Sequence, residues 1–393
     1  MVQWDGTKRN KRLETGLMED EINFSINGGG DSISNDTTRI GHIATVLKKF
    51  KNPYIGNKRK LIPFLIETID KHNIEYESVL DLFSGSAFCS MAFKMLDKKV
   101  ISNDILSCSY LNAVAFVENK DIILTKEEQD SLFEFVENYP DDIISYRYLN
   151  RLDEAEIATI AIYYNKAIEK WGSPLEGNIK SALAIVYMQN YIIEKCFVGG
   201  RLNSGQILAS YEHRVDHAKN KGYCMFYNGK DFSYSDMRWT NPIYPTDKNQ
   251  HKCYNMDAID LLREVQPEVD LAYIDPPYGG SQSDYGFMYA LFEEMLHGKD
   301  YEEIEEKRYG ANRFIDKSNY KKNFSQLMYF SKYIPNIVIS YNDTSWGTIE
   351  EICEVVEEHR RNVTVEEFDY SYKYRSKENN DKRTKEYIVI AKG

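Results

Sequence analysis

Two short apolar runs limit this chain more than any other feature. Ser78-Val79-Leu80-Asp81-Leu82-Phe83 stops at Ser84-Gly85-Ser86, and a helical pattern follows through Phe88, Met91, Ala92 and Met95. Lys99-Val100-Ile101-Ser102-Asn103-Asp104 then reads as a second strand. A strand–helix–strand connection of this length pairs in parallel by a right-handed crossover, and parallel sheets are covered on both faces. The chain is therefore expected to be α/β. Further strand signals stand at residues 252–254, 270–274, 337–341 and 387–391. Between them the pattern turns helical from Thr125 to about Ile193, then rich in Gly, Asn and Tyr up to Thr246. The expected organisation is a Rossmann-like sheet formed by residues 45–124 and 250–393, interrupted by a mainly helical insertion at 125–249. Residues 1–44 are polar, contain Gly28-Gly29-Gly30 and read as a flexible arm. Ordered structure is expected to begin near Ile43.

Composition excludes several classes. Six scattered cysteines with no CxxC pair and no His at ligand spacing argue against a disulfide framework or a zinc site, so no metal is expected. No apolar run reaches the roughly 18 residues of a membrane span, and the N-terminus lacks the order of a secretory signal. No membrane partner and a cytoplasmic location follow as expectations. A net charge of -12 looks unfavourable for nucleic-acid binding, but the charge is unevenly spread. Lys48, Lys49, Lys51, Lys58, Arg59 and Lys60 form a basic track with no acid between Val46 and Lys60, and a second basic run spans Lys373 to Lys385. The acids concentrate in Glu293 to Glu306 and Glu350 to Glu367, which read as solvated helix faces.

Two constellations carry chemistry. In Asp81-Leu82-Phe83-Ser84-Gly85-Ser86-Ala87 a strand ends in small residues, so a ligand can lie against the following helix N-terminus at the carboxyl edge of the sheet. Asp104 closes the next strand, where an acid accepts hydrogen bonds from ribose hydroxyls. That spacing suits any adenosine-type cofactor, NAD included. The second constellation, Asp275-Pro276-Pro277-Tyr278, follows the apolar strand 270–274 directly. Two prolines cannot continue a ladder, so the chain leaves the sheet there. They also leave carbonyls without competing donors. An aromatic amine such as adenine N6 is a poor nucleophile because its lone pair is delocalised. A carboxylate and a fixed carbonyl, each accepting one N6 hydrogen, draw that lone pair out, and an adjacent Tyr ring stacks on a base extruded from the duplex.

With these residues in order, the chain resembles the Dam-like class of DNA N6-adenine methyltransferases. Their sequence runs from a Lys-containing segment to the glycine-rich loop, a target-recognition insertion and Asp-Pro-Pro-Tyr. Here those parts are Tyr54-Ile55-Gly56-Asn57-Lys58, Phe83 to Ala87, residues 125–249, and Asp275 to Tyr278. The resemblance implies S-adenosylmethionine as cofactor and double-stranded DNA as substrate. It also implies a partner restriction endonuclease or a solitary enzyme. It gives Tyr54, Gly56 and Lys58 to the methionine end of the cofactor, with Lys58 against its carboxylate. Asp81, Phe83, Ser84 and Gly85 would line the cofactor, and Asp104 would bind the ribose. Asp257 would meet the cofactor's adenine amine or, equally, cap the helix starting near Ala258. Asp275, Pro276, Pro277 and Tyr278 would carry catalysis. Ala87 departs from the Gly usual there, and its small size suggests little consequence.

DNA contacts are expected at Lys58 and Arg59 in the basic track. Arg201 and Asn203 in the insertion read guanine and adenine edges well. Tyr372, Lys373 and Arg375 combine stacking with phosphate contact. Alternatives stay open. An RNA adenine methyltransferase shares the fold but more often has Asn at position 275, and a cytosine-N4 enzyme more often has Ser. A dehydrogenase leaves Asp275 to Tyr278 unexplained. A catalytically inactive DNA-binding module leaves the intact Lys58, Asp104 and Asp275 unexplained.

Overall fold

The computed structural model describes residues 34–49, 52, 54, 56–132, 154–196, 250–277, 284–309, 314, 316–370 and 384–393. Contacts divide the chain into units of residues 1–39 and 40–393. Of the first, only the opening turns of α1 (Ser34–Lys49) are described. That helix runs across the 44/45 boundary read from the sequence.

The second unit is built on seven strands: β1 (Ser78–Asp81), β2 (Lys99–Asn103), β3 (Lys252–Tyr254), β4 (Leu271–Ile274), β5 (Asn336–Asn342), β6 (Arg361–Tyr370) and β7 (Thr384–Lys392). They lie in the order β3-β2-β1-β4-β5-β7-β6. The first five are parallel, and β7 runs antiparallel between β5 and β6. The expected α/β sheet is therefore present, mostly parallel, with one reversed strand. Chain order turns around between β1 and β4, so a crevice opens at their carboxyl ends, where ligands of open α/β sheets bind.

Period-two alternation sends neighbouring residues to opposite faces. Val79, Val100, Leu271, Tyr273 and Val338 join one buried cluster, and Leu80, Ile101, Ala272, Ile274 and Ile337 join the other. The first cluster is covered by α2 (Ile62–Lys71), α3 (Phe88–Met95), α4 (Ser107–Ala113) and three helices from the region read as an insertion or its edge. These are α5 (Lys126–Leu132), α6 (Glu154–Trp171) and α7 (Ile179–Cys196). Leu132, Tyr163, Ala167 and Ala182 to Met188 belong to the same cluster as Phe88 and Leu111, so the core continues past residue 125 without a break. The second cluster is covered by α8 (Ala258–Asp260), α11 (Tyr320–Phe330) and α12 (Ile349–Glu357), while α9 (Tyr285–His297) and α10 (Tyr301–Ile304) pack on the first. Local chemistry sets the helix starts. Pro63 opens α2, where a missing N–H costs nothing, and Thr348 with Glu351 forms a reciprocal capping box on α12.

Candidate active site

The turn after β1 is held by its own backbone and by Asp104. Ser84 N–H donates to Asn103 carbonyl at 2.9 Å, and Ala87 N–H to Ser84 carbonyl at 2.7 Å. The Asp104 carboxylate accepts Gly85 N–H at 2.8 Å and Leu106 N–H at 2.9 Å. Asp104 thus fastens the end of β2 to the glycine turn. Burial pushes its carboxyl up to about 7 against those two donors. Asn112 donates to the Gly85 carbonyl at 3.2 Å. Gly85 has φ +48°, and a Cβ there would sit 3.0 Å from Cε1 of Tyr54, so the glycine is required by both backbone and neighbour. Ala87 also takes a left-handed conformation, φ +60°, at the N-cap of α3. The backbone here takes φ > 0, which a Cβ resists.

Tyr54 joins this turn to α9. Its ring stacks on Tyr289 at 4.6 Å and lies parallel to Tyr285 at 5.9 Å, and its hydroxyl accepts from Ser109. Gly56 has φ +76°, and a Cβ there would meet the Tyr285 hydroxyl at 2.6 Å. Tyr285 and Tyr289 lacked any sequence signal beyond being aromatic. The same holds for Glu293, which sits in a run expected to be a solvated face. It is fully buried, and Glu294 is 2% exposed. Its carboxylate accepts Ser107 N–H at 3.1 Å and Cys108 N–H at 2.7 Å, at the positive end of α4. Ser107 Oγ donates to Asn255, whose amide donates to the carbonyls of Asp104 and Ile105.

Asp81 lies on β1 opposite Tyr273 of the neighbouring β4. It is 1% exposed, and its Oδ2 accepts Ser90 Oγ at 2.6 Å while Oδ1 has no hydrogen-bond partner. Burial first, then the charges of Asp275 and Asp104, push its carboxyl up to about 7. Ser84 Oγ is likewise buried without a partner. Phe83 packs edge-on against Phe314 at 5.3 Å.

Asp275 follows β4, with Pro276 buried and Pro277 half-buried. Its Oδ1 lies 3.4 Å from Lys58 Nζ, and Glu386 of β7 lies 3.9 Å from the same nitrogen. Lys58, expected at the cofactor carboxylate, thus stands against the motif's acid. The Arg59 guanidinium, expected at DNA, turns inward: Nη1 donates to the Leu47 carbonyl at 3.3 Å, and the group lies 5.0 Å over the Phe88 ring. Asp257 caps α8, its Oδ1 accepting Ile259 N–H at 2.9 Å and Asp260 N–H at 3.1 Å. Tyr278, Arg201, Asn203, Tyr372, Lys373 and Arg375 lie outside the described residues. Among the described residues, no group of His, Cys, Asp and Glu is arranged to hold a metal, and no helix is long and apolar enough to cross a membrane.

Residues 54–198 match the family profile described as D12 class N6 adenine-specific DNA methyltransferase. Over that stretch the chain is similar to this class. The stretch reaches from Tyr54 through the glycine turn and α4 to the end of α7, so the Lys-containing segment and the turn that it meets in space fall inside it. The chain is 27% identical over 347 residues to the type II methyltransferase M2.HphI of Haemophilus parahaemolyticus, covering 86% of this chain and 96% of that protein. It is 25% identical to the modification methylase StsI of Streptococcus sanguinis and 24% identical to LlaI of Lactococcus lactis subsp. lactis. Those matches take in 82% and 86% of this chain but only 49% and 54% of the relatives, so it spans about half their length. Within residues 54–198 the chain is thus similar to N6-adenine-specific DNA methyltransferases.

Proposed function

We propose that Asp275 and the Pro276 carbonyl orient the adenine amine while Tyr278 stacks on a flipped base in double-stranded DNA. The observation that carries this reading is the meeting of two edges. Asp275 leaves β4 beside Asp81, which leaves β1 at the glycine turn, and the charges of the two acids act on each other. Methyl donor and acceptor then share one crevice. S-adenosylmethionine fits the turn: Asp81 Oδ1 and Ser84 Oγ are buried polar atoms without partners, and the acid suits a cationic ligand. When bound, the cofactor supplies an electrophilic methyl group. Tyr54, Gly56, Phe83, Ser84 and Gly85 would enclose it. Asp104, by holding the Gly85 N–H, would shape the turn as well as meet the ribose.

Asp275 accepts an N6 hydrogen more strongly when ionised, and Lys58 at 3.4 Å offsets that charge. Once N6 carries the methyl group it must lose a proton, and Asp275 is the acceptor in place. Residues 125–249 would supply target recognition, with Arg201 and Asn203 at base edges. Tyr372, Lys373 and Arg375 would contact the backbone. The names of M2.HphI, StsI and LlaI support a restriction–modification setting, with an endonuclease as partner.

The test offers labelled methyl donor to DNA, RNA and protein with native chain and Asp275→Ala. Label on adenine N6 of DNA is expected with native chain alone, while the variant retains cofactor affinity by calorimetry. Label on RNA only, or loss of affinity and turnover together, would contradict the roles given.

A further inference from the structure

We infer that Glu386 is a positioning residue that holds the Lys58 ammonium against Asp275. The inference rests on the transfer chemistry proposed above. Glu386 is 3% exposed, and its Oε2 has no hydrogen-bond partner, yet it stands 3.9 Å from Lys58 Nζ. A carboxylate is rarely buried so deeply without pairing, because desolvation of a charge costs several kcal/mol. Its surroundings explain why it is there at all. β7 runs antiparallel to β5, with Glu386 opposite Asn342. The amino end of β7 therefore lies at the sheet edge where β4 and β5 end and where Asp275 emerges.

Two carboxylates, those of Asp275 and Glu386, stand at 3.4 and 3.9 Å from the Lys58 ammonium. Besides Lys58, the charged groups acting on Glu386 are Asp275 and Asp343, both of which repel it, and burial adds to them, so its carboxyl is pushed up to about 7. Lys58 itself is 9% exposed and pinned by its backbone, whose carbonyl accepts the N–H groups of Leu61 and Ile62. A lysine side chain has four rotatable bonds and no fixed fork geometry. One carboxylate alone would let the ammonium swing around Asp275. Two carboxylates from separate elements, Asp275 just after β4 and Glu386 on β7, narrow the positions that it can take. Asp275 then presents to N6 in one orientation, the kind of constraint whose loss by an ångström costs up to about 100-fold in rate.

The test compares native chain with Glu386→Gln, Glu386→Asp, Lys58→Gln and the Lys58→Gln/Glu386→Gln pair. Glu386→Gln is expected to lower kcat by about 10- to 100-fold while KM for the cofactor stays within about twofold, the signature of an interaction felt in turnover rather than binding. Its melting temperature should hold or rise, because one of three crowded carboxylates has gone. Glu386→Asp should recover part of the rate. The paired variant should be no slower than Lys58→Gln alone, since Glu386 acts through the lysine. Native kcat in Glu386→Gln, additive losses in the pair, or a rise in KM that accompanies a fall in melting temperature would overturn the inference. Should native chain transfer no methyl group to adenine, the fault lies in the proposed function. The melting temperatures of the same four variants then decide this point: non-additive shifts at 58 and 386 support it, and additive shifts overturn it.

Discussion

Gly56→Ala tests the coupling between the Lys-containing segment and α9. Two costs should appear. The residue sits at φ +76°, where a Cβ costs about 1–2 kcal/mol. Its Cβ would also lie 2.6 Å from the Tyr285 hydroxyl, and overpacking of this kind costs about 1–3 kcal/mol. Tyr285 cannot swing away cheaply, because its ring lies parallel to Tyr54 and Tyr289. The second cost has a specific cure. In Tyr285→Phe the nearest ring atom to that Cβ is Cζ at 3.7 Å, an ordinary contact. Gly56→Ala alone should therefore lose about 2–4 kcal/mol, and Gly56→Ala/Tyr285→Phe about 1–2 kcal/mol relative to Tyr285→Phe. Thermal melts of the four proteins read the stability cycle, and calorimetry with S-adenosylmethionine reads whether the segment keeps its place at the cofactor. Equal losses from Gly56→Ala in both backgrounds would refute the contact and leave backbone strain as the whole effect.

Burial pushes the carboxyls of Asp81, Asp104 and Glu386 up from the ordinary carboxylate range to about 7. The folded state then holds more protons than the unfolded one between about pH 4 and 7, so stability falls as pH rises through that window. Differential scanning calorimetry of the cofactor-free protein should give a higher melting temperature near pH 5 than at pH 8. A rise across that interval would show these acids ionised at no cost. At Ala87, Gly removes strain of about 1–2 kcal/mol but also a buried methyl worth about 0.8 kcal/mol and a less flexible unfolded chain, so Ala87→Gly should change stability by less than about 1 kcal/mol. Ala87→Val puts a branched Cβ at φ +60° in a fully buried position and should cost several times more; a neutral melt would contradict the left-handed assignment.

Features written in strict local patterns were legible in the sequence. The parallel strands announced themselves as apolar runs ended by small residues or prolines, and Asp81, Gly85, Asp104 and Asp275 stand at their ends because ligands gather where strands stop. What the sequence did not disclose depends on which side a residue faces or on its backbone angle. Ala87 looks like an ordinary small residue until its φ is known. Glu293 and Glu294 are buried at the head of a run whose later acids, such as Glu302 and Glu303, face water, and the place of Glu293 opposite the start of α4 gives its carboxylate partners. Lys58 and Arg59 belong to one basic run, yet one lies at Asp275 and the other over Phe88. Glu386 was hidden because nothing in a strand's pattern says that the strand is reversed. With β7 parallel, the residue would lie at the opposite edge, far from any chemistry.

That reversal also sets an order of assembly. β7 lies between β5 and β6, although β6 precedes it in the chain. With β7 as its sheet partner among the described residues, β6 must wait for a strand made later. The same strand brings Glu386 to Lys58. A ribosome that had delivered everything through β6 would thus hold the glycine turn and Asp275 on a sheet still open at one side. The lysine would lack the Glu386 carboxylate. Full activity is expected only when the late strand slots in, so the finishing of the sheet and the arming of the site are one event.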